Sequence, residues 1–127
     1  MRLKNILIVV DDIELSKKFY AELFGLKGKT DFGGNVMLTE GLVLQERAGW
    51  EEVTGAKACM GNHDAELYFE EADMDSFLEK LQKTDLQIIY LNECAVAGNG
   101  QRVLRLYDPD KHIIEVKEAP KLGWQEV

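Results

Sequence analysis

Two stretches of this chain carry the same order of elements, and that repetition limits the folds open to it more than any composition figure does. Asn5-Ile-Leu-Ile-Val-Val10 is nearly all apolar and predicts a strand over 3–10 that is buried on both faces. Asp12 is placed to cap a helix over 13–24, its side chain accepting from an orphan N–H of the first turn. Leu15, Phe19, Tyr20, Leu23 and Phe24 fall on one stripe of that helix, Lys17, Lys18 and Glu22 lie opposite, and Gly25 ends it. Gly33-Gly34 marks a hairpin between strands over 27–32 and 35–39, and a fourth strand covers 42–46. A loop or single helical turn over 48–57 carries Trp50, and 56–64 forms a linker. The order then returns: a strand over 65–70, Asp73 as cap, a helix with Met74, Phe77, Leu78 and Leu81 inside, a strand over 86–90, a loop over 91–100, and strands over 101–107 and 112–118. Each half reads strand, helix, three strands. One such unit leaves a face of its sheet bare, whereas two packed side by side close a curved mixed sheet around a cleft. The expected class is α+β, one domain over 1–127 built of modules 1–55 and 64–118.

The last hairpin is the most informative local stretch. Leu104 and Leu106 precede a break at Asp108-Pro109-Asp110-Lys111, and Ile113, Ile114 and Val116 follow it. Pro109 sets its own φ and the two aspartates can accept nearby backbone N–H groups, so the break is a tight polar turn. On the strand that follows, Ile113, Glu115 and Lys117 share one face. A carboxylate set among aliphatic residues on a central strand is either paired or at work. Arg105, on the preceding strand, has two readings: a clamp for a substrate carboxylate, or a partner for Glu115.

Counting through the repeat brings four polar positions together. The caps Asp12 and Asp73 lie 61 positions apart, and seven positions before each stand Asn5 and Glu66. In the hairpin strands Gln45 aligns with Glu115, 70 positions on. Asn5, Gln45, Glu66 and Glu115 therefore occupy equivalent places in the two halves.

Both ends of the chain resemble the vicinal-oxygen-chelate superfamily, which includes glyoxalase I, extradiol dioxygenases, and fosfomycin- and bleomycin-resistance proteins. The resemblance rests on Val10-Asp11-Asp12-Ile13-Glu14-Leu15-Ser16-Lys17-Lys18-Phe19-Tyr20 with Leu23-Phe24-Gly25-Leu26, and on Asp108-Pro109-Asp110-Lys111-His112-Ile113-Ile114-Glu115, where Lys111 replaces the usual Gly. It implies paired βαβββ modules, a small-molecule ligand, a homodimer, and metal ligands at the four counted positions. Members of glyoxalase I type mostly carry His or Gln, Glu, His and Glu there, and this chain has Asn5, Gln45, Glu66 and Glu115. An all-oxygen set suits magnesium or manganese better than zinc or nickel, so any cofactor expected is one divalent ion of that kind.

Two functions from different classes follow. In the first, a glyoxalase-like lyase or isomerase, Glu66 and Glu115 face each other across the cleft. They carry a proton to and from carbon beside a carbonyl, or hold a hard metal, while Asn5 and Gln45 orient substrate oxygens. In the second, a metal-free protein of bleomycin-resistance type sequesters a planar or antibiotic-like ligand against Trp50. His112 reads as a turn residue and His63 as an exposed loop residue. Net charge of −8 argues against nucleic acid and anionic membranes as partners, and no apolar run approaches 18 residues. Cys59 and Cys94 match no zinc spacing and read as reduced thiols, which points to the cytoplasm.

Overall fold

A computed structural model describes residues 1–120 of the chain; the expected domain's last seven residues lie outside the described ones. The chain divides into two compact units, the first over Met1–Asn62 and the second from His63 onward. Each is α+β with one four-stranded mixed sheet, as the repeat predicts.

In the first unit, β1 (Ile6–Val10) leads into α1 (Ile13–Phe24), followed by β2 (Gly28–Asp31), β3 (Asn35–Leu38), β4 (Leu42–Glu46) and α2 (Arg47–Thr54). The sheet order is β1-β4-β3-β2, with β1 parallel to β4 and the other pairs antiparallel. Asp12 caps α1 by accepting the Leu15 amide at 3.1 Å, and Gly25 ends it at φ 68°. Phe19, Tyr20 and Leu23 pack into a core with Val10, Val36, Leu38 and Leu44. Leu15, expected on the inner stripe, is exposed, and the small Ser16 is buried instead. β1 begins three residues later than expected. Ile6 and Leu7 stay 56% and 40% exposed, because β1 is an edge strand with a neighbour on one side only. The segment with Trp50, expected as a loop or a single helical turn, is a two-turn helix, α2.

The second unit repeats the plan. β5 (Glu66–Glu71), α3 (Met74–Lys83), β6 (Ile89–Val96), β7 (Arg102–Tyr107) and β8 (Ile113–Glu118) form a sheet of order β5-β8-β7-β6. Asp73 caps α3 through the Ser76 amide at 3.0 Å. Leu104, Leu106, Ile114 and Val116 are buried with Met74, Phe77 and Leu81 of α3. Arg102 ties the layers: it donates to Glu118 of β8 at 2.8 Å and to Asp75 of α3 at 2.7 Å. β6 runs on to Val96 where a loop was expected. Its register against β7 shifts twice, and such bulges hide the period-two pattern by which a strand is read. Among the described residues, no helix is long and apolar enough to cross a membrane.

Candidate functional site

The side of the second sheet opposite the buried leucines is polar. Register sets its rows across β6, β7, β8 and β5: Ile89, Tyr107, Ile113 and Glu66 in the first, Asn92, Arg105, Glu115 and Tyr68 in the second, and Ala95, Val103, Lys117 and Glu70 in the third. Glu66 and Glu115 do not face each other from opposed walls. They stand on adjacent parallel strands of one sheet, in neighbouring rows, because β5 and β8 pair directly.

The second row is a connected polar chain. Arg105 Nη2 lies 2.5 Å from Glu115 Oε1, Arg105 Nη1 donates to Asn92 Oδ1 at 3.2 Å, and Arg105 Nε approaches Glu66 Oε2 at 4.0 Å. Of the two readings of Arg105, the structure therefore has it as partner of Glu115, and its side chain remains 36% exposed. Glu115 is only 9% exposed, and Arg105 meets it at Oε1. Tyr68 is beside it in register. Burial, then the charges of Glu115 and Glu70, push the Tyr68 phenol above its ordinary range, so the hydroxyl keeps its proton and is available as a donor.

The first unit carries an uncharged version of the same row. Asn35, Gln45 and Val9 are aligned across β3, β4 and β1, and Asn35 Nδ2 donates to Gln45 Oε1 at 2.5 Å. Asn35 and Gln45 are paired as Arg105 and Glu115 are, each 70 positions earlier. The β1 position is different. By register it is Leu7, paired with Val43, that matches Glu66, paired with Ile113, and Asn5 sits two residues before it. Counting from the caps misses this because β5 runs two pairs further than β1 before its cap. Trp50 stands on α2, next to Gly49, whose missing side chain leaves room for the Gln45 amide: a Cβ there would lie 3.4 Å from Gln45 Nε2.

Sequence reasoning missed Asn35 and Asn92, the partners of Gln45 and Arg105. The signal for Asn35 was present, since the offset that pairs Gln45 with Glu115 also pairs Asn35 with Arg105.

The histidines fall elsewhere in the second unit. His63 lies over Tyr107 with ring centroids 5.3 Å apart, and Lys111 Nζ is 5.3 Å from the same ring. His112 Nδ1 meets Asp108 Oδ2 at 2.6 Å. Asp108, Asp110 and His112 form the one group of three among the described residues close enough together to hold an ion. Asp108 is already engaged there by the amides of Asp110 and His112, so the trio reads as the turn's own bonding.

Divalent ions are implied by the resemblance for Glu66 and Glu115, and the residues do not fit one. Both carboxylates lie within 4.0 Å of the Arg105 guanidinium. A dication about 4 Å from that charge meets repulsion on the order of 8 kcal/mol at an effective dielectric near 20. Gln45 Oε1 already accepts from the neutral amide of Asn35.

A sequence model described as a glyoxalase-like domain matches residues 3–120. No protein of curated function matches the chain. A crystal structure of a protein of unknown function from Agrobacterium tumefaciens strain C58 is 33% identical, with a TM-score of 0.78 over 94% of this chain and 95% of that one. A glyoxalase-related enzyme from Fulvimarina pelagi gives 21% identity and a TM-score of 0.76 over 94% and 88%. A lactoylglutathione lyase from Agrobacterium tumefaciens gives 17% and 0.72 over 98% of both chains. The latter two likenesses speak for the fold alone.

Proposed function

Because this chain belongs to the glyoxalase-like family, we propose that it is an enzyme of lyase or isomerase type acting on a small oxygenated molecule at the polar face of its second sheet. The observation that carries this is Glu115: a carboxylate only 9% exposed on a central strand, with a guanidinium against its Oε1. The carboxylate takes a proton from a hydroxyl-bearing carbon beside a carbonyl; the C–H electron pair forms the new C=C bond and the carbonyl π pair moves onto its oxygen, giving an enediolate. It returns that proton to the former carbonyl carbon while the substrate's hydroxyl proton passes to the former carbonyl oxygen, so both protons are conserved and no other reactant is consumed. Glu66 approaches the same guanidinium from the next strand. Taken by itself, the first unit offers the amides of Asn5 and Gln45 and the flat apolar surface of Trp50 as candidate ligand contacts. The working protein is a homodimer in the cytoplasm, and light scattering on the purified protein tests the dimer.

The competing reading is a protein that sequesters a ligand without chemistry; the pairing of Glu115 with Arg105 favours it, since a paired carboxylate is a poorer base. Proton exchange separates the two. Hydroxyacetone and dihydroxyacetone are incubated with enzyme in D2O and their C–H signals followed by NMR. Wild type is expected to exchange them, and Glu115→Gln to lose roughly a hundredfold or more of that rate. Equal rates in the two proteins would sink Glu115 as the base. Binding without exchange in wild type would leave the sequestering reading standing.

A further inference from the structure

We propose that Arg105 takes the part of a metal ion in this protein: its guanidinium, not a divalent cation, receives the two adjacent oxygens of the ligand. The inference rests on the proposed site and names its ligand class, a small molecule with vicinal oxygens of which at least one is anionic.

Three observations carry it. Arg105 is pinned from three sides, by Glu115 at 2.5 Å, Asn92 at 3.2 Å and Glu66 at 4.0 Å, so its plane is held before a ligand arrives. A guanidinium has five N–H donors in a fixed fork, and these contacts engage three of its nitrogens while leaving N–H groups over. The side chain is 36% exposed, on the same face of the sheet as Tyr68 and Glu115. Second, the guanidinium is a resident cation within 4.0 Å of both carboxylates, and it opposes a dication at contact distance. Third, the repeat supplies an internal comparison. Asn35 occupies the register place of Arg105 and holds Gln45 as Arg105 holds Glu115. That place is built to grip the neighbouring strand's central residue, and in the second unit alone the gripping group is a cation. A planar fork matches two oxygens on adjacent carbons, and its charge offsets the negative charge they carry or develop.

The experiment measures binding rather than turnover, so its failure is distinct from failure of the proton-transfer reading. Mn2+ is titrated into the protein and free ion followed by electron paramagnetic resonance; oxalate, a dianion with vicinal oxygens, is titrated by NMR. Wild type is expected to bind oxalate and to leave Mn2+ free. Arg105→Met is expected to lose about tenfold or more in oxalate affinity and to gain Mn2+ binding; Arg105→Lys keeps the Mn2+ exclusion and only part of the oxalate affinity. Glu115→Gln keeps Arg105 and guards against a misfolded Arg105→Met. It is expected to bind oxalate more tightly than wild type, since it removes a negative charge beside the anion. Stoichiometric Mn2+ on wild type, or oxalate affinity unchanged in Arg105→Lys and weakened in Glu115→Gln, would overturn the proposal.

Discussion

Replacing Asp108 tests how the final turn is held and what happens there with pH. Its carboxylate is buried and accepts the Asp110 amide at 2.9 Å, the His112 amide at 2.8 Å and the His112 ring at 2.6 Å. Asp108→Ala removes all three at once. Two neutral amide bonds at about 1 kcal/mol each and one charge-assisted bond at somewhat more give a loss of roughly 3 kcal/mol. At a urea slope near 1.5 kcal/mol per molar, the unfolding midpoint falls by about 2 M. Asp108→Asn keeps an oxygen for both amides, so at neutral pH it costs only about 1 kcal/mol. Its pH dependence is the sharper test. In the wild type, burial opposes protonation of His112, but the Asp108 hydrogen bond and the charges of Asp108 and Asp110 outweigh it, and the imidazole is raised above its ordinary value. A folded value above the unfolded one means the folded state holds the proton more tightly. The stabilisation is complete below the unfolded value of about 6.5 and is lost as pH rises through the folded value. In Asp108→Asn the new amide N–H meets Nδ1 favourably only while the ring is neutral, so the sign reverses and stability falls as pH drops through the histidine range. Urea midpoints at a series of pH values from 5 to 9 decide it. A loss under about 1 kcal/mol for Asp108→Ala, or a parallel pH profile for Asp108→Asn and wild type, refutes the reasoning.

Lys111 adopts φ 71°, so Lys111→Gly is expected to stabilise by roughly 0.5 kcal/mol, the relief of left-handed strain exceeding glycine's entropy in the unfolded chain, as read by thermal melting. Leu104 is fully buried on β7, and Leu104→Ala is expected to cost about 3 kcal/mol in urea unfolding by opening a cavity. Gly25 ends α1 at φ 68° with its amide bonded to Ala21 and open space around its α-carbon. Gly25→Ala therefore isolates the backbone term and should cost about 1 kcal/mol in the same assay.

Elements whose stability is local were readable along the chain. α1 has a cap, a stripe and a stop within about a dozen residues, and its bounds agree with the reading; α3 was read from its cap and stripe. β6 was not readable past Tyr90, because bulges break the alternation, and α2 was short enough to pass for a loop or a single turn. Glu115 stood out because its immediate neighbours are aliphatic. Asn35 and Asn92 did not, since polar residues near a turn or on an exposed edge are ordinary until a partner is known.

By itself, the sequence determined that there are two copies of one strand-helix-strand plan, that both helices are capped by aspartate, and that a carboxylate stands at the centre of the last strand. These follow from local chemistry and periodicity, which short segments carry without help from the rest. Only the tertiary structure decided that Arg105 lies on Glu115, that Glu66 shares it from the next strand, and that Leu7 rather than Asn5 answers to Glu66. Strand register sets each of these, and register is a relation between segments tens of residues apart. A shift of two leaves every side chain on its own face and changes only its neighbour, so alternation along one strand cannot reveal it.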